Sequence, residues 1–155
     1  MSVLATIALA LGIVLAAIHL SWLAAPDRVS KWFSGFPRNR WAGWALTAID
    51  LYWSAYLLFQ MPMGSLDKYK FLIYGLAPVV FLLVVFLVDE LLAARALGGL
   101  FLLVPAPMLD AARWHESNWR LVVVVLAYIL AVKGMVLVLS PYMFRKTVER
   151  LTRRK

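Results

Sequence analysis

The sequence predicts an all-α fold: a polytopic α-helical integral membrane bundle. Three observations carry this. The 155-residue chain is 64% hydrophobic and only 15% charged, against about 45–50% and about 25% in soluble domains. Its apolar residues fall in blocks of about twenty, the length that crosses a hydrocarbon core about 30 Å thick. The polar residues that separate these blocks are rich in proline, arginine and lysine, as loops at a membrane surface are. Five crossings are favoured, at residues 3–25, 41–60, 71–88, 91–105 and 119–140. Residues 1–141 then form one bundle, and 142–155 a basic amphipathic tail.

The first block, 3–25, has no basic stretch ahead of it and is long for a signal peptide, so it reads as a retained helix. Ala8, Gly12 and Ala16 recur every fourth residue and make one narrow face smooth enough for close helix contact. His19 and Leu20 continue that face. Pro26, which has no backbone N–H, ends the helix. In residues 26–40, Arg28, Lys31, Arg38 and Arg40 alternate with Trp32, Phe33 and Phe36. This mixture suits the headgroup layer, where rings sit at the boundary and cations meet phosphates.

The second block, 41–60, carries Asp50 near its centre. Gly43, Thr47, Asp50 and Ser54 share one small, polar helix face. The block stops at Met61-Pro62-Met63-Gly64, and a short polar loop follows. The third, 71–88, contains no charge, and Pro78 is expected to bend it. Asp89 and Glu90 then stand side by side, followed by Leu91 to Arg95 and a further apolar run to Pro105. Residues 106–118 read as a loop. The last block, 119–140, is rich in Val and Leu, holds Lys133 past its midpoint, and ends at Pro141. In the tail, Phe144, Val148 and Leu151 share a face, as in a helix lying on the membrane.

The acidic pair decides the threading. If the chain reverses there, five crossings result. If one helix runs from Phe71 to about Leu97, leaving the membrane at the pair, there are four. Charge arbitrates, because cytoplasmic loops collect Lys and Arg. Five crossings put eleven basic residues on one side, including Arg95, Arg145 and Lys146, and four on the other; four crossings give eight against seven. The five-crossing form places the N-terminus outside and the C-terminus in the cytoplasm, in the cell membrane. Its cost is a very short loop at the acidic pair.

Composition also bounds function. The chain has no cysteine, which removes disulfides, thiolate chemistry and Cys-ligated clusters. The net charge of +8 lies beside apolar segments, so anionic lipid headgroups are the expected partners and nucleic acid is not. The expected lipid contacts are Arg28, Lys31, Arg38, Arg40, Arg145 and Lys146. Charge inside hydrocarbon costs about 2.5–3.5 kcal/mol on insertion scales, so Asp50 and Lys133 need an account. Their similar depths allow an ion pair or a proton or ion site. Asp89, Glu90 and Arg95 form an interfacial charged cluster.

His19 and His115 are the only histidines and give no metal or haem spacing. No catalytic triad, phosphate loop or metal motif stands out, and no cofactor is implied. The expected role is a non-enzymatic accessory or scaffold module acting through helix packing and anionic-lipid contact, in a homo-oligomer or a larger membrane complex. The alternatives are a small transporter or ion conductor using Asp50 and Lys133, and an interfacial lipid-modifying enzyme using Asp89, Glu90 and Arg95.

Overall fold

The computed structural model describes residues 3–87, 91–114, 116–142 and 146. Among them the secondary structure is helical throughout. Helix α1 (Val3–Ala24) leads into a short surface helix, α2 (Pro26–Gly35). Pro26 holds the first position of α2, where a missing N–H costs nothing. A single 3-10 turn, Phe36–Arg38, links α2 to α3 (Arg40–Gln60). The Asn39 side chain accepts a hydrogen bond from the Ala42 N–H at 3.3 Å and starts α3, as a capping asparagine does. A second 3-10 stretch, Gly64–Tyr69, precedes α4 (Leu72–Leu87).

Helix α5 (Leu92–Leu103) is followed directly by α6 (Pro105–Arg113). Val104 between them keeps α-helical backbone angles, φ −58° and ψ −39°, so the two form one rod. Residues 106–113 are thus helix and not the expected loop. Pro105 removes one backbone hydrogen bond from the rod, yet the Val104 N–H still donates to the Leu100 carbonyl at 3.0 Å and the backbone stays helical on both sides. Helix α7 (Arg120–Leu139) completes the bundle.

Helix directions follow from which residues meet. Gly43 of α3 lies against Leu92 and Ala93, and Asp50 lies against Gly99, so α3 and α5 run parallel. Phe59 stacks on Tyr74 with ring centroids 4.7 Å apart, and the α3–α4 groove joins Ala48 to the Phe81 end. Helix α4 therefore runs antiparallel to α3. Gly98 meets Leu137 and Val138 while Gly134 meets Leu102, so α7 runs antiparallel to α5. Leu4 packs with Met108 and Ala112, and Val14 lines a shared cavity with Val104 and Pro107, which sets α1 antiparallel to the α5–α6 rod. The five rods alternate in direction along the chain.

Because α4 and α5 point opposite ways, the chain reverses between Leu87 and Leu92. Leu91 has a positive φ of 58°. A single unbroken helix from Phe71 to Leu97 is therefore not formed. Asp89 and Glu90 themselves lie outside the described residues.

Three helical stretches are long and apolar enough to cross a membrane: Leu4–Ala24, Leu92–Arg113 and Arg120–Leu139. Helix α4 is apolar but has 16 residues, about 24 Å at 1.5 Å per residue. Helix α3 has 21 residues but is less apolar, since Arg40, Asp50 and its five Trp and Tyr residues lower its hydropathy. The five expected crossings thus reduce to three that length and composition support.

Helix α5 is the centre of the bundle. It packs against α3 on one side and α7 on the other. Leu92, Ala93, Ala94, Ala96 and Gly98 are buried. Small side chains let neighbouring backbones approach closely, and between apolar helices this contact is the main source of association. Helix α1 is attached more lightly. Leu4 joins a core cluster with Met108, Ala112, Val123 and Ala127, and Ile7 and Leu11 pack on it. The remainder of α1 is largely exposed.

Candidate functional site

Helices α3, α5 and α7 come together at Gly98-Gly99. On the α7 side, a Cβ added to Gly98 would lie 2.9 Å from the Gly134 carbonyl oxygen, and one added to Gly134 would lie 2.8 Å from the Gly98 carbonyl oxygen. The two backbones touch, and neither position has room for a side chain. On the α3 side, a Cβ on Gly99 would lie 2.6 Å from Asp50 Oδ2. Gly99 is therefore the cover of the Asp50 carboxylate.

The small, polar face of α3 is the face that meets α5. Gly43 and Thr47 are buried, and Asp50 and Ser54 are half-buried. The Thr47 hydroxyl donates to the Gly43 carbonyl at 2.8 Å, which satisfies it within its own helix. Asp50 has no such partner: its Oδ1 is buried and accepts no hydrogen bond. A buried carboxylate oxygen without a donor costs free energy unless it binds a proton or a cation.

Lys133 does not supply that partner. It is exposed on α7 and forms no ion pair among the described residues. It precedes Gly134, so it lies at the level of the Gly98-Gly99 crossing, but α5 stands between it and Asp50. Equal depth was legible in the sequence; the intervening helix was not.

The basic segment gathers at one end of the bundle. Pro37 to Arg40 border Leu92 and Ala93 in a shared cleft, so Arg38 and Arg40 lie beside the start of α5. Arg28, Lys31, Arg38, Arg40 and Arg95 are all exposed, as is Lys146. Arg145 and the acidic pair fall outside the described residues, so the cluster with Arg95 has no described geometry.

His19 Nδ1 lies 2.7 Å from the Leu15 carbonyl oxygen on its own helix; His115 is outside the described residues. Among the described residues, no group of three or more His, Asp or Glu side chains is placed to hold a metal ion. The Ala8-Gly12-Ala16 face of α1 is exposed, with open space around Gly12. Within this chain it is not the contact face; Leu4, Ile7 and Leu11 are.

The glycine pair on α5 is what sequence reasoning missed as a contact. Its signal was present: Ala93, Ala94, Ala96, Gly98 and Gly99 form the densest run of small residues in the chain. No protein-family model, no curated protein and no solved structure matches this chain.

Proposed function

We propose that the chain is a five-pass membrane module without enzymatic activity, working through helix packing and contact with anionic lipid. The observation that supports this best is α1. It is held to the bundle near its start, and its smooth Ala8-Gly12-Ala16 face is left for another surface. Small residues at four-residue spacing suit a second transmembrane helix, because they let two backbones approach. The partner is a second copy or another membrane subunit. The exposed cations from Arg28 to Arg40 sit on the cytoplasmic side in this reading, at about 1 kcal/mol each against anionic lipid.

The test is the particle mass in mild detergent, with cross-linking in native membranes. Wild type should run as an oligomer or carry a second subunit. Gly12→Leu adds bulk where nothing is in contact, so it should release that partner while leaving the helix content unchanged. A monomer in both assays would end this reading.

One observation favours a second reading, the unpartnered Asp50 oxygen under Gly99. It supports a proton or cation site between α3 and α5 that does not use Lys133. Asp50→Asn should then abolish proton or cation flux in liposomes; unchanged flux removes the idea.

A further inference from the structure

A trough of about 850 Å³ runs along the outer seam of α3 and α4. Its volume lies within the roughly 300–1,000 Å³ of small-molecule sites. Tyr52, Tyr56 and Phe59 form one wall, and Tyr74, Pro78 and Phe81 the other. From Ala48 to Phe59 the α3 wall rises about 16 Å at 1.5 Å per residue. That is about half of a hydrocarbon core roughly 30 Å thick, the depth of one leaflet.

The two ends of the trough differ. The Ala48–Phe81 end stops among apolar side chains. At the other end the Phe59 and Tyr74 rings meet across the seam, next to the 3-10 stretch that carries Asp67, Lys68 and Lys70. There the Lys70 ammonium donates to the Phe59 carbonyl at 3.0 Å and pairs with Asp67 at 2.8 Å, so its charge is already matched. Lys68 rests 5.0 Å over the Tyr69 ring and forms no ion pair among the described residues. Tyr56 and Tyr74 stand exposed on the rim toward this end, where their hydroxyls can donate to ester or phosphate oxygens.

We infer that this trough holds one acyl chain of an anionic phospholipid from the adjoining leaflet, with the phosphate at Lys68. The apolar length matches one chain, and Lys68, which forms no ion pair among the described residues, matches one phosphate at the stretch that joins the two walls. This site is at the opposite end of the bundle from Arg28 to Arg40 and does not depend on what covers α1.

The test counts lipid retained by the full-length protein in native mass spectrometry, with phosphatidylglycerol or phosphatidylcholine added to the detergent. Wild type should hold one phosphatidylglycerol in preference to phosphatidylcholine beyond any held at Arg28 to Arg40. Ala77→Trp fills the trough and should weaken retention of both lipids roughly tenfold. Lys68→Gln should weaken phosphatidylglycerol roughly fivefold, the effect of one juxtamembrane lysine, and leave phosphatidylcholine unchanged. If Ala77→Trp does not fold, Ala55→Leu narrows the same trough with less added volume. Undiminished retention in a folded trough-filling variant overturns the proposal, and so does equal retention of the two lipids by wild type. Loss of a dimer instead of a lipid would assign the trough to a second copy and overturn it too.

Discussion

At the residue scale, the glycines divide by what surrounds them. Gly134→Ala would press a methyl group onto the Gly98 carbonyl, which is backbone and cannot rotate away. Overpacking of this kind costs about 1–3 kcal/mol, so the melting temperature in detergent should fall. Gly12→Ala meets open space and gains about 1 kcal/mol of helix propensity, so the same measurement should be unchanged or higher. Equal effects at both positions would show that α5 and α7 are not in backbone contact. Asp67 gives a pH prediction. The Lys70 ammonium, through its hydrogen bond, and the Met63 N–H hold this carboxyl below its ordinary range. Its contribution is present above the ordinary carboxylate pKa and is lost as pH falls through the lowered value. An NMR titration should place the Asp67 midpoint below that of a free aspartate, and Lys70→Ala should raise it.

At the element scale, Leu91, just ahead of α5, stores strain. A leucine in the left-handed region costs about 1–2 kcal/mol. Leu91→Gly should therefore hold or raise stability in a denaturant titration. Leu92→Gly, one residue on, removes a side chain that is 5% exposed and should lower stability by at least the 2–5 kcal/mol typical of Leu→Ala. The all-helical class was legible, since twenty-residue apolar blocks leave little choice. So was the reversal near Asp89-Glu90, read from the charge bias and now seen in opposed helix directions. What was not legible depends on neighbours. Residues 106–113 looked like a loop because they follow Pro105 and hold Asp110 and Arg113, yet packing of Met108, 1% exposed, keeps them helical. The smooth face of α1 was legible as a surface for close helix contact, but not that Leu4, Ile7 and Leu11 on another face make the contact within this chain, with Met108 and Ala112 as their core. Lys133 looked like a partner for Asp50 because one sequence shows depth along each helix and not which helix lies between.

At the scale of the whole molecule, alternating directions make a topological statement. On the proposed threading, a reporter fused after Lys155 and another inserted at Asp67 should report opposite compartments; the same compartment for both would refute five crossings. The parallel contact of α3 with α5, across the chain segment that forms α4, also bears on how the protein is made. The cover for Asp50 emerges from the ribosome late. Roughly fifty residues separate Asp50 from Gly99, which at about 5–20 residues per second takes several seconds of synthesis. Through that interval the nascent α3 has no glycine seam to receive its acidic side chain. On the proposed five-pass threading, a chain halted after Leu87 should therefore hold α3 in the bilayer less firmly than the full chain does.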